Sequence, residues 1–125
     1  MGHFFELRIY QVLPGKMDEW LHLMEKVIIP FQVSKGMVIN GSFVENSFDQ
    51  FYLNDQIREM RTFDNRNKYI WIRRFENQKH KEELYEKVYQ SYEWLNDIGP
   101  KVEKLIDRNS ISVHNISSTQ MSIIK

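Results

Sequence analysis

Apolar and polar positions alternate from His3 to Val12, with Phe5, Leu7 and Ile9 set against Phe4, Glu6, Arg8 and Tyr10, the period-two signature of a strand. Leu13-Pro14-Gly15 breaks that strand. Met17, Trp20, Leu21, Met24, Val27 and Ile28 then recur at helical spacing, with Asp18 and Glu19 near the positive end of the helix dipole. Pro30 lacks a donor and disfavours helical geometry at Ile29, so this helix is expected to kink or stop there, with Gly36 as its latest end. Met37 to Val44 reads as a second strand, Gly41 marking a bulge or a close approach. From Glu45 to Asn67 the periodicity decays into Asn, Asp, Ser and isolated aromatics, with one short helical turn expected around Ile57 to Met60. This stretch reads as a long excursion, and excursions beyond about 12–15 residues are usually functional or mobile.

Lys68 to Phe75, KYIWIRRF, is the clearest strand, rich in β-branched and aromatic residues. Asn77 suits a helix N-cap, and Leu84, Tyr85, Val88 and Tyr89 follow at three- and four-residue spacing. Gly99-Pro100 interrupts, Val102, Leu105 and Ile106 mark a short helix, and Ser110 to Ile116 alternates as a last strand before an extended or loose tail. The order β-α-β-β-α-β predicts an α+β, ferredoxin-like fold: a four-stranded antiparallel sheet with both helices on one face and the first and third strands central. Phe5, Leu7, Ile9, Ile70, Ile72, Ile111 and Val113, all apolar, are assigned to the helix-facing side. The open face would then present Phe4, Glu6, Arg8 and Tyr10 beside Tyr69, Trp71, Arg73 and Phe75, with His114 on the flanking strand. So many aromatics call for a cover, and the charges among them need partners or a wet cavity. A homodimer joined through this open face, enclosing a half-polar, half-aromatic cavity, meets both demands.

Composition narrows the class. A chain of 125 residues suits one domain, 1–125, with the excursion at about 45–67 as its irregular part. Lys plus Arg and Asp plus Glu are 17 each and interspersed, so no basic footprint for nucleic acid exists. The chain has no cysteine, which removes disulfides, thiolate nucleophiles and thiolate metal sites. No apolar run nears the ~18 residues of a membrane span, and Met1 to Val12 lacks the apolar core of a secretory signal. A cytoplasmic protein is expected, without metal or cofactor. His3 and His22 have no acid or histidine at ligand spacing.

Phe5 to Lys16, FELRIYQVLPGK, followed by Asp18-Glu19-Trp20, resembles the opening motif of NIPSNAP-family domains, an E-L-R-x-Y strand running into a P-G-K turn. Tyr69 to Phe75 (YIWIRRF) and Tyr89 to Val102 (YQSYEWLNDIGPKV) resemble that family's third strand and the segment behind its second helix. The resemblance spans nearly the whole chain and implies a dimeric α/β barrel, the fold of antibiotic-biosynthesis monooxygenases and haem-degrading relatives. It supplies no catalytic motif. In the haem-degrading relatives an Asn on the first strand, a Trp on the third and a His on the second helix act together; Trp71 and His80 resemble the last two, while Glu6 and Arg8 stand where the Asn would be.

The ligand-binding candidates are Glu6, Arg8, Tyr10, Tyr69, Trp71, Arg73 and His114. The arginines suit an anionic or phenolic group, Tyr10 can donate a hydrogen bond, and the aromatics can stack on a planar ring. The structural alternative is cross-strand ion pairing, such as Glu6 with Arg73, within aromatic packing. The imidazole of His114 suits a proton shuttle or a plain hydrogen bond, while Lys79, Lys81 and Glu82 around His80 mark an exposed turn. Three functions are open: a homodimeric barrel binding a small planar or anionic organic molecule; a cofactor-free monooxygenase or isomerase using Tyr10, Trp71 and Arg73; and a non-catalytic interaction protein docking through its excursion.

Overall fold

The computed structural model describes residues 2–45, 50–53, 56–59 and 67–125. Strand β1 (Phe4–Val12) leads into α1 (Met17–Leu23), a π-helical turn (Met24–Ile28) and α2 (Ile29–Ser34), then β2 (Val38–Val44). Strands β3 (Gln50–Leu53) and β4 (Gln56–Glu59) form a separate hairpin; β5 (Lys68–Phe75), α3 (Gln78–Tyr89), a second π-helical turn (Trp94–Ile98), α4 (Gly99–Glu103) and β6 (Ile106–Ile116) complete the chain. The main sheet runs β2-β5-β1-β6, antiparallel throughout, with the first and the KYIWIRRF strands central as expected. The short helical turn expected at Ile57 to Met60 is instead strand β4 as far as Glu59. The rest of the 45–67 excursion, 46–49, 54–55 and 60–66, lies outside the described residues.

Both prolines inside helical segments act in the same way. Pro30 and Pro100 each lack an N–H, and the ring of each collides with the carbonyl four residues earlier. The chain responds by widening one turn: Ile29 N–H donates to Met24 O, and Gly99 N–H to Trp94 O, each five residues back. The first helical run therefore does not stop at Pro30 but continues to Ser34, and Gly36, at φ 107°, ends it. Gly99 serves a packing need as well: a Cβ there would sit 2.9 Å from the Trp94 carbonyl oxygen and 3.3 Å from its indole nitrogen. Asn77 caps α3 as expected, accepting from His80 N–H at 2.8 Å, while His80 Nδ1 accepts from Glu76 N–H at 3.0 Å. His80 is thereby committed to a local cap at the start of α3.

The sheet faces are the reverse of the expected assignment. Glu6, Tyr69, Trp71, Arg73 and Phe75 lie beneath the helices, all buried, while Leu7, Ile9, Ile70 and Ile72 point to the open side and are only half-buried. The cross-strand register groups each set on one face, Glu6 with Arg73 and Leu7 with Ile72, and burial shows that the first set is the covered one. The physical reason is area and partners. Each aromatic ring removes about 150–250 Å² from water, and the helices bring polar tips that satisfy the charges between the rings. Ile111 and Val113 do face the helices as expected: Val113 pairs with Arg8 of the covered face, and Ile111 packs against the core. Among the described residues no helix is long and apolar enough to cross a membrane.

Gly99→Ala is expected to destabilise the protein by about 1–3 kcal/mol, since the new methyl meets backbone that cannot move aside cheaply. Chemical denaturation of the two proteins checks this.

Candidate functional site

Alternation along two neighbouring strands places Glu6, Arg8 and Tyr10 of β1 next to Arg73, Trp71 and Tyr69 of β5 on the covered face. Six of the seven candidate residues therefore meet, but in the layer between sheet and helices and not on the open face. His114 does not join them: it pairs with Leu7, so it lies on the opposite side of the sheet, where it is exposed.

Glu6 is the centre of the cluster. Its Oε1 accepts from Arg73 Nη2 at 2.6 Å and Arg8 Nε at 2.7 Å; its Oε2 accepts from Lys81 Nζ at 2.6 Å and Tyr85 Oη at 2.5 Å. Burial pushes the carboxyl pKa up, yet the Arg73 and Arg8 charges and the Lys81 and Tyr85 bonds outweigh it and lower it to about 2. The Arg73 guanidinium is fully buried, donates to Gln32 Oε1 at 2.9 Å and Tyr89 Oη at 2.8 Å, and lies 4.4 Å over the Trp71 ring. Arg8 donates to Tyr85 Oη at 2.8 Å and Tyr10 Oη at 3.4 Å. Burial opposes the charge on Arg8, but Tyr10, Tyr85, Tyr89 and Glu6 more than compensate, so its pKa is raised. Three cations thus surround one carboxylate, and the cluster carries excess positive charge. Burial raises the Tyr10 hydroxyl and lifts Tyr69 to about 12, so both phenols keep their protons at neutral pH.

A cavity of about 210 Å³ opens beside this cluster, with Arg8, Tyr10 and Tyr89 as its polar wall. All three tryptophans of the chain line it. Both π-helical turns contribute, the first through Met24 and Ile28 and the second through Trp94. On the β6 side the register steps from Ile9–Ser112 to Gln11–Asp107, passing over Tyr10, and Ile106 and Ile111 on either side of that bulge complete the wall. A neighbouring depression of about 180 Å³ shares Trp94, Val102, Ile106 and Ile111 with the cavity. It reaches the surface where Arg108 and Glu103 pair at 2.9 Å.

Gln32, Lys81, Tyr85, Tyr89, Trp20 and Trp94 were not among the sequence candidates. Lys81, Tyr85 and Tyr89 recur every four residues on α3, which puts a cation and two phenol hydroxyls on the stripe that faces the sheet. A purely aliphatic sheet face would leave those hydroxyls unpaired, and that was the available signal. Among the described residues no group of three or more His, Asp or Glu is placed to hold a metal ion.

An antiparallel ferredoxin-like sheet with a cation-rich aromatic cavity under its helices defines the class: a small α+β domain built around an internal pocket. Within that class, solved structures of NIPSNAP proteins share the fold. A NIPSNAP family protein from Agrobacterium tumefaciens superposes with a TM-score of 0.75 at 22% identity, over 98% of this chain and 99% of its own. A second from that organism, of unknown function, gives 0.76 at 18% identity over 99% and 95%. A putative antibiotic biosynthesis monooxygenase from Bacteroides thetaiotaomicron gives 0.51 at 9% identity over 97% and 91%. The NIPSNAP resemblance read from the sequence is thus borne out at the level of the fold. No family model and no curated protein matches the chain.

Glu6→Gln is expected to cost roughly 3–5 kcal/mol by leaving buried cations unpaired. Because the folded carboxyl pKa is depressed from 4.5 to about 2, its contribution is complete above pH 4.5 and is lost as pH falls toward 2. Denaturation measured from pH 6 to 2 should therefore fall more steeply for the wild type than for Glu6→Gln; parallel profiles would remove Glu6 as the titrating group.

Proposed function

We propose that this chain is a small-molecule-binding protein that works as a homodimeric α/β barrel, each copy holding a small planar, anionic organic molecule between its own sheet and helices. The observation that carries the binding reading is the cavity of about 210 Å³ bordered by Arg8, part of a buried cluster in which cations outnumber the single carboxylate. An anion entering there meets positive charge that the protein has not neutralised, in a setting where screening by water is weak. The aromatic walls suit a flat ring.

The dimer reading rests on the open face. Leu7, Ile9, Ile70 and Ile72 form an apolar centre there, joined by Phe43, 48% exposed in a single copy. The chain's own tail borders part of that face, Ile124 lining one depression with Phe5 and Ile72, while the neighbouring Met121 and Ile123 stand 89% and 99% exposed. A second copy covering this face would bury these groups together.

The monooxygenase or isomerase alternative requires a proton acceptor beside the ligand. Glu6 is held by four donors and sits far below the usual carboxylate range, and among the described residues no carboxylate or histidine lines the cavity. Binding and orientation are what this wall supports. The pure interaction alternative expected a cavity filled by side chains, which the open volume disfavours.

Native mass spectrometry of the purified chain should show a dimer, carrying extra non-covalent mass that disappears in Ile111→Trp, where the indole fills the cavity. Phe43→Glu should convert the dimer to a folded monomer. A wild-type monomer at tens of micromolar would end the dimer reading. Tryptophan fluorescence indifferent to every small aromatic acid, with no added mass, would end the binding reading.

A further inference from the structure

The hydrogen bonds around the cavity run in a fixed direction, because arginine and indole N–H groups can only donate. Tyr10 Oη receives Trp71 Nε1 at 3.1 Å and Arg8 Nη1 at 3.4 Å. That occupies both lone pairs, so the Tyr10 proton must go elsewhere. Tyr89 Oη is in the same position, receiving Arg73 Nη1 at 2.8 Å and Gln32 Nε2 at 3.2 Å. The Gln32 amide is oriented by its own Oε1, which accepts from Arg73 at 2.9 Å. Tyr85 is complete by contrast, with its proton on Glu6 and two arginine donors on its oxygen, and it does not line the cavity. Tyr10 and Tyr89 do line it, and neither proton has an acceptor among the described residues.

Two further donors border the same space. Trp20 buries its indole N–H without a partner among the described residues. Arg8 uses its Nε–H and one bond from each terminal nitrogen on Glu6, Tyr10 and Tyr85, which leaves N–H capacity unspent. Among the described residues no carboxylate, amide or imidazole acceptor lines the wall of the cavity. An occupant with donors of its own would therefore leave donors facing donors, and buried unpaired donors are costly.

We infer that the cavity selects its ligand by hydrogen-bond polarity, and that the ligand is a small aromatic monocarboxylate: an acceptor-only head against Arg8, Tyr10 and Tyr89, with its ring among Trp20, Met24 and Trp71. Size agrees. A cavity of about 150 Å³ takes benzene, and about 210 Å³ adds room for one carboxylate. Charge agrees as well, since the cluster retains excess positive charge. This inference rests on the ligand-binding reading above and adds the chemical class.

Titration of the full chain with benzoate, benzamide and toluene, followed by the fluorescence of the three cavity tryptophans, tests it. Benzoate is expected to bind at least about ten-fold tighter than benzamide, which has the same shape but carries donors. Tyr10→Phe and Tyr89→Phe should each weaken benzoate about ten-fold while leaving toluene within about two-fold of wild type; toluene reports that each variant keeps its folded cavity. Benzamide binding as tightly as benzoate, or unchanged benzoate binding by both variants, would overturn the donor-only assignment while the cavity still binds. If none of the three probes binds at millimolar concentration, the ligand-binding reading falls and this inference falls with it.

Discussion

The structure depends on one buried ion pair between the two central strands. Glu6 and Arg73 are direct cross-strand partners, both fully buried, with Arg73 Nη2 2.6 Å from Glu6 Oε1. Removing two charges from water is expensive, and their attraction offsets the cost only when the remaining lone pairs and N–H groups are also satisfied. The groups that meet this demand come from all around: Arg8 from the sheet, Lys81 and Tyr85 from α3 on the carboxylate, Gln32 from α2 and Tyr89 from α3 on the guanidinium, leaving Arg73 Nε without a partner among the described residues. Replacing a buried ion pair by apolar residues of similar volume is often neutral for stability. What such residues would not do is fix where α2 and α3 sit on the sheet, because dispersion contacts tolerate sliding and hydrogen bonds of this length do not.

The same requirement shapes the cavity. Arg8 and Lys81 reinforce the carboxylate, but together with Arg73 they exceed its charge, so satisfying Glu6 leaves the cluster electropositive. The network also consumes acceptors: the Tyr10 and Tyr89 oxygens are spent on protein donors, and their protons are left for whatever enters. The prolines provide the space. By widening the chain at Met24–Ile28 and Trp94–Ile98, they set Met24, Ile28 and Trp94 around the volume that the β6 bulge opens over Tyr10. Stabilising network and candidate site are thus one set of side chains, and mutations here will couple stability to binding.

The wider fold is shared with NIPSNAP proteins at 22% identity or less, a level at which fold persists and pocket chemistry is free to differ. For this chain, the chemistry follows from its own cavity wall: arginine, phenols and indoles, with the carboxylate already committed to the interior.

Local pattern determined much of this protein by itself. Period-two alternation identified β1 and β5, Asn77 identified the start of α3, and the element order placed those two strands in the centre, because backbone geometry and capping depend on near neighbours. The Glu6–Arg73 pairing was legible too, once two adjacent strands carried opposite charges at matching positions. Which face the helices cover was decided only by the tertiary structure. Both faces of β1 and β5 are rich in apolar atoms, so alternation separates them without ranking them. The choice turned on Gln32, Tyr85 and Tyr89, distant in the chain, supplying the bonds that let Glu6 and Arg73 be buried. The separation of His114 from the other candidates had the same origin: its side of the sheet is set by the pairing of β6 with β1, a long-range contact that residue spacing within β6 does not encode.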